Sequence, residues 1–271
     1  MVEDFKSARK NETRQCAKDA RPVTNATVNR ALTTLKLLYH QADRGGYALK
    51  NPVAGVGMFR ESIDAMRVIT FEEQAAYIAE ASQPLHDIAK VMLDTGMRPE
   101  EVFRIRVENL DFKQKTIFNP FGKTKAARRT IPMTDDVASL LKARVKKLEK
   151  RQTPFVFPSP YDYQKPIGSV EKAHWLTATA AKIKGHFRLY DLRHTFATRA
   201  VAAGVDLPTL SAILGHTSIQ MTMRYVHSAA EQKRLAMEKF EKFRAEAVIA
   251  AATAQQAQSV PTNIPTSELI Q

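Results

Sequence analysis

Strand character is confined to two short stretches of this chain, residues 116–119 and 128–132, while the segments around them repeat their apolar residues at helical spacing. The two stretches flank Gly122-Lys123-Thr124, which reads as a turn or loop joining them. The expected fold is therefore mainly α with a small antiparallel β-sheet, an α+β domain with Lys123 beside the sheet. Helix signals cover residues 70–81, 85–94, 134–151, 169–184, 191–203, 207–214, 219–225 and 229–250. Thr70 and Glu73 form a capping box at the first of these. Gly96 stops the second, and Pro99, favoured in a first helical turn, starts another, so Arg98 stands at a helix entrance.

Ahead of this region the chain is organised differently. Residues 1–24 are polar, mixed in charge and weakly periodic. From Thr27 the apolar positions Val28, Leu32, Leu35 and Leu38 predict a helix that Gly45 and Gly46 end. Asn51-Pro52, Gly55 and Gly57 then read as a connection, with a linker between Val53 and Arg67. Four segments are expected: a small helical domain over 1–60, the main domain over 61–227, a C-terminal helix over 228–250, and a tail over 251–271. The helix carries Leu235, Met237, Phe240, Phe243, Ala247 and Val248 on one face. The tail is rich in Ala, Gln, Ser, Thr and Pro with almost no charge, which predicts disorder when isolated.

Charge narrows the partner. The 271 residues carry 41 Lys and Arg against 28 Asp and Glu, a net +13 that points to a polyanion such as nucleic acid. The surplus lies ahead of residue 228, and the remainder is balanced. A single cysteine, Cys16, excludes an internal disulfide and a thiolate metal cluster. No metal and no cofactor are expected. No apolar run approaches the roughly 18 residues that would span a bilayer, so a soluble, intracellular protein is expected.

Four separated segments carry candidate chemistry: Thr95-Gly96-Met97-Arg98-Pro99-Glu100-Glu101, Gly122-Lys123-Thr124, Tyr190-Asp191-Leu192-Arg193-His194, and Leu214-Gly215-His216 followed nine residues later by Tyr225. Singly, each has an ordinary structural explanation. An arginine at a helix entrance is usually a surface or ion-pair residue, a tyrosine at a helix end is usually half-buried core, and Leu-Gly-His can be a helix end with its glycine cap. Together, two arginines, a lysine, a histidine and a phenol supply phosphoryl transfer without metal or ATP. The phenol is the nucleophile, the fixed cations offset charge on the phosphorus, and the lysine protonates the departing oxygen. A tyrosyl phosphodiester retains the energy of the broken bond, so a second hydroxyl can displace it.

The order and spacing of these segments, with 23 residues from Arg193 to His216 and nine more to Tyr225, resemble the catalytic domain of tyrosine recombinases, the phage integrases, from about Thr70 to His227. The resemblance implies a DNA recombinase working through a 3'-phosphotyrosine. It implies that Arg98 is the first phosphate-binding arginine, Glu101 the buried acid that orients it, Arg193 the second arginine, His216 the histidine of the LGH motif and Tyr225 the nucleophile. Lys123 matches the hairpin lysine that protonates the leaving 5'-oxygen, with Lys125 a competitor in the same loop. One position departs: the family's HxxR begins with histidine where this chain has Tyr190. A phenol with a pKa near 10 is a poor proton acceptor at neutral pH, so Tyr190 is expected to orient the phosphate or the Asp191 region by hydrogen bonding. His194, about 100° around the helix from Arg193, is expected to pack beneath the site.

Residues 27–52, with Asn29, Arg30 and Lys36, resemble the last part of the family's core-binding domain, half of a clamp around duplex DNA. Only about 60 residues precede the linker, so that domain is expected to be partial. Asn29 and Arg30 are its expected DNA contacts, joined by Lys125, Arg128 and Arg129 of the hairpin, whose phosphate contacts weaken with salt. The implied partners are double-stranded DNA and further copies of the chain, a homotetramer on paired sites, in bacterial or phage cytoplasm. The C-terminal helix either docks on a neighbouring copy or packs on its own domain. Two other readings stand beside the recombinase: a type IB topoisomerase-like nicking and resealing enzyme, and a catalytically weakened DNA-binding protein, supported by Tyr190 and the short N-terminal part.

Overall fold

The computed structural model describes residues 1–16, 19–61, 66–122, 125–226, 234, 237–238 and 240–250. The chain divides into two compact units, Met1–Ala65 and Met66–Gln271.

In the first unit, the weakly periodic residues 1–24 form helix α1 (Val2–Asn11) and the hairpin of β1 (Thr13–Cys16) and β2 (Asp19–Pro22), strands not expected here from the sequence. The hairpin pairs antiparallel from Thr13 opposite Pro22 to Cys16 opposite Asp19. Helix α1 escapes a search for periodicity because it buries no residue and meets the unit's core through Val2 and through the Lys6 ammonium, 4.6 Å from the centre of the Phe59 ring. Its charges match the helix dipole: Glu3 and Asp4 lie at the start, Arg9 and Lys10 at the end. Helix α2 (Asn25–Arg44) begins where the Thr24 hydroxyl accepts a hydrogen bond from the Thr27 amide. Val23, Val28, Leu32, Val53 and Val56 form the core. Leu38, expected on the same buried stripe, is 60% exposed, because this small core ends near Leu35.

Asn29 also departs from expectation. Its side chain is buried, donates to Phe59 O at 2.8 Å and to Glu61 Oε1 at 2.7 Å, and accepts from the Phe59 amide at 2.9 Å. An amide so committed ties the returning strand to α2 and is not free to meet DNA. Its position three residues before Leu32 already placed it on the buried face. Arg30, one position further, is exposed.

The second unit is built around α4 (Leu85–Thr95), which buries Leu85, Ile88, Ala89, Val91, Met92 and Leu93. It follows α3 (Phe71–Glu80), whose Thr70–Glu73 capping box forms as expected, and it packs against α5 (Pro99–Phe103), α6 (Asp135–Leu148) and α8 (Asp191–Ala202). Between α5 and α6 lies a three-stranded antiparallel sheet of β3 (Leu110–Asp111), β4 (Thr116–Asn119) and β5 (Arg129–Pro132). In register, Ile117 faces Ile131 and Asn119 faces Arg129. Ile117 and Ile131 are fully buried while Phe118, next to Ile117 on the opposite side of the pleat, is exposed. The remaining helices are α7 (Glu171–Ala180), α9 (Leu207–Leu214) and α10 (Gln220–Met223). Residues 240–250 are also helical, with Phe240, Phe243 and Val248 exposed; Leu235 of the expected stripe lies outside the described residues. Among the described residues no helix is long and apolar enough to cross a membrane.

Two glycines fix how the chain enters and leaves the site. Gly96 ends α4 at φ 65°, and Gly215 ends α9 at φ 66°, both in the left-handed region where a Cβ is unfavourable. A Cβ on Gly96 would come within 2.4 Å of the Phe196 ring, and one on Gly215 within 2.8 Å of Arg129 Nη1 and 2.9 Å of Ala126 O. These turns leave the carbonyls of Gly96 and Leu214 pointing at one guanidinium.

Candidate active site

That guanidinium belongs to Arg193, fully buried in the first turn of α8. Its Nη1 donates to Gly96 O at 2.7 Å and its Nη2 to Leu214 O at 2.8 Å. Nη2 also lies 3.2 Å from His216 Nε2. A guanidinium only donates, so Nε2 of His216 accepts and Nδ1 carries the ring proton, which goes to Thr222 Oγ1 at 2.8 Å. Burial lowers the Arg193 pKa, yet the group stays cationic at neutral pH. His216 is lowered as well: burial, then the charges of Arg193, Arg98, Arg129 and Arg224, pull it down to about 4, so it is neutral at pH near 7.

Arg98 enters from α5. Its backbone amide donates to Glu101 Oε2 at 2.9 Å and its Nη1 to Glu101 Oε1 at 2.8 Å. Burial opposes the charge on Arg98, but Glu101 and the Tyr190 phenol hold the guanidinium above the usual arginine range. Burial likewise pushes the Glu101 carboxyl up, and the hydrogen bonds and charges of Arg129 and Arg98 outweigh it, leaving the acid ionised.

Arg129 corrects the expectation of a DNA contact. Its side chain is 7% exposed, its Nη1 and Nη2 each lie 3.0 Å from a Glu101 oxygen, and its Nε donates to Ile213 O. The pleat explains it: Arg129 shares a face with buried Ile131 two residues on, whereas Arg128 points outward and is exposed. Arg129 is thus a strut that joins β5, α5 and the end of α9. Breaking such a buried pair on one side costs about 3–5 kcal/mol. Lys123 lies outside the described residues. Lys125 opens a short 3-10 turn, Lys125–Ala127, and its side chain is outside the described set.

Tyr225 follows α10 and is 2% exposed. Its ring stacks parallel to His216, with centroids 6.3 Å apart and planes 9° apart. Its hydroxyl is 3.0 Å from Nδ1 of His194. Burial raises the Tyr225 pKa, and the charges of Arg193, Arg224 and Arg98 work against that rise, so both site arginines act on the phenol. His194, expected beneath the site, therefore touches the candidate nucleophile itself. The missed signal was its neighbour across the fold: the angle between His194 and Arg193 on one helix says nothing about the chain after α10 arriving on the second side.

Tyr190 caps α8 with its ring 5.0 Å from that of His194 and 6.0 Å from the Arg193 guanidinium carbon. Asp191 is fully buried, accepting from the Arg188 amide at 2.7 Å and from Arg188 Nη2 at 3.1 Å. It anchors the helix start that presents Arg193.

The structure thus gathers Arg98, Arg193, His216 and Tyr225 from α5, α8, the end of α9 and the end of α10, a set suited to holding an anion beside a phenol. The phage integrase family model matches residues 67–232, and the chain belongs to that family, the tyrosine recombinases. Among its relatives, the tyrosine recombinase XerC of Pediococcus pentosaceus is 28% identical over 241 residues, which cover 81% of this chain and 77% of that protein. The integrase of Escherichia phage P2 is 30% identical over 67% of this chain but only 49% of its own length. Of solved structures, the Tn1549 transposon integrase in complex with a circular intermediate DNA matches with a TM-score of 0.68 at 20% identity, over 80% of each chain. A lambda integrase dimer bound to a COC' core site matches with a TM-score of 0.60 at 19% identity, over 74% of this chain and 59% of that one. At these identities the structural likeness establishes the fold.

Proposed function

We propose that this chain exchanges DNA strands at specific sites, with Tyr225 attacking a phosphodiester to form a 3'-phosphotyrosine. Arg98 and Arg193 hold the phosphate oxygens, and their fixed charges offset the charge that builds on phosphorus. His216, tied to Arg193 and Thr222, completes the cradle. The proton for the leaving 5'-oxygen is assigned to Lys123, or to Lys125 in the same loop. Tyr190 donates a hydrogen bond toward the phosphate, and Glu101 and Asp191 position the two arginines. The observation that carries this reading is the Tyr225 ring stacked on His216, whose Nε2 is itself bonded to Arg193.

Double-stranded DNA is the substrate, consistent with the +13 charge and with DNA complexes among the structural neighbours. Arg30 and the exposed Arg128 contact the duplex backbone. Working copies form a homotetramer on paired sites within the cytoplasm, and the apolar face of the helix over 240–250 docks on a neighbouring copy. Recombinase and integrase names among the relatives favour this reading over a nicking and resealing topoisomerase. A duplex nicked next to its cleavage point traps the covalent intermediate: labelled DNA joined to the protein through Tyr225 is the expected product. Wild type that never becomes labelled on DNA from the flanks of its own gene would contradict the proposal.

A further inference from the structure

We propose that His194 accepts the phenolic proton of Tyr225, supplying from one helical turn further on the base that position 190 lacks. The inference rests on the strand-exchange reading of the site. Its ground is the 3.0 Å approach of His194 Nδ1 to the Tyr225 hydroxyl in a pocket that leaves His194 7% exposed.

The rival bases are excluded by their own bonds. His216 lies parallel to the Tyr225 ring with centroids 6.3 Å apart, but both of its nitrogens are engaged, Nδ1 with Thr222 and Nε2 with Arg193. Tyr190 is a phenol and accepts a proton poorly near pH 7. Positions 190 and 194 are four apart at the start of α8, so their side chains share one helix face, and the rings meet edge to face at 5.0 Å. An imidazole at 194 therefore reaches the ground that a histidine at 190 would occupy.

The groups around His194 are Asp191, Arg188 and Arg193 near the start of α8, Tyr190 beside it, and Tyr225 and Arg224 from the segment after α10. Burial and then the three arginines, against Asp191, pull its pKa down to about 4. The ring is neutral at physiological pH, and the phenol O–H donates to Nδ1. A phosphodiester anion arriving at Arg193 offsets part of that cationic field, which makes the imidazole a stronger base when the substrate is in place.

The step balances without a further reactant. The Tyr225 O–H bond breaks and its proton moves to Nδ1, the phenolic oxygen bonds to phosphorus, and the bond from phosphorus to the 5'-oxygen breaks. That oxygen takes a proton from the general acid. When an incoming 5'-hydroxyl later displaces the tyrosine, the imidazolium returns its proton to the departing phenolate and the general acid is regenerated.

Covalent labelling on a nicked duplex from the flanks of the gene tests this, with melting and gel shift confirming folded, DNA-binding variants. His194→Phe removes the acceptor. His194→Asn keeps an acceptor oxygen near the Nδ1 position but no base. Both should label about 10²-fold more slowly than wild type at about pH 7, the usual scale for a lost general base. The Asn variant should then quicken about tenfold per pH unit up to about pH 9, as hydroxide takes the proton, while wild type stays level. Adding Tyr190→His to His194→Asn should recover much of the loss at neutral pH. If wild type labels and His194→Phe matches it, or if His194→Asn matches it with the same pH profile, the role of His194 is overturned and the strand-exchange reading stands. No label from wild type overturns both.

Discussion

Burial and then the Arg193 charge keep His216 neutral, and the consequence reaches the stability of the free protein. Both His194 and His216 fall to about 4 in the folded state, against an ordinary histidine near 6.5. On acidification the unfolded chain takes up these protons first, so the pair's contribution to folding stability is full above about pH 6.5 and is lost progressively down to about pH 4. The melting temperature should therefore drop between pH 7 and pH 5, roughly where carboxylates still remain ionised, and His194→Phe should flatten part of that drop. A melting temperature unchanged over that interval would contradict the buried, neutral state of the pair. Among single residues the sequence was informative for Arg98, Arg193, His216 and Tyr225, whose spacing is tied to helix lengths and glycine turns. It misplaced His194, Arg129 and Asn29. His194 depends on which element crosses α8, a tertiary fact, whereas the inward turn of Arg129 was already implied by Ile131 two residues on.

Turns do as much as helices to assemble the site. Gly215 closes α9, frees Leu214 O for Arg193 and lets the Arg129 side chain and Ala126 O pass within 3.0 Å of where a Cβ would stand. Gly215→Ala must strain a left-handed residue and push Arg129 off Glu101, costing on the order of 1–3 kcal/mol. A lower melting temperature with a larger loss of DNA labelling is expected, since Arg129 is bonded to Glu101, which holds Arg98, and the Leu214 carbonyl beside Gly215 holds Arg193. An alanine variant that melts and labels like wild type would show that this close approach is not needed. Helices α3 to α9 were legible because capping boxes, a first-turn proline and glycine stops punctuate strong apolar periodicity. Helix α1 and its hairpin were not, since a helix that buries no residue and a hairpin made by backbone pairing leave no such pattern. Strand β3, two residues long, owes its place to pairing with β4.

Across the whole molecule, the cationic excess and the proposed catalytic set lie ahead of residue 228, and the C-terminal segment carries an exposed apolar face on residues 240–250. Removing residues 229–271 should leave labelling of a single nicked site intact and lose assembly on paired sites, read as the mass of the complex with DNA. A truncated chain that still pairs sites as a tetramer would place the contact elsewhere. The proposed chemistry stands or falls with Tyr225. Denatured wild-type protein recovered from a nicked, labelled duplex should carry the label on the peptide containing Tyr225, and Tyr225→Phe should bind the same DNA and carry none. Label retained by Tyr225→Phe, or found on another residue, would contradict it.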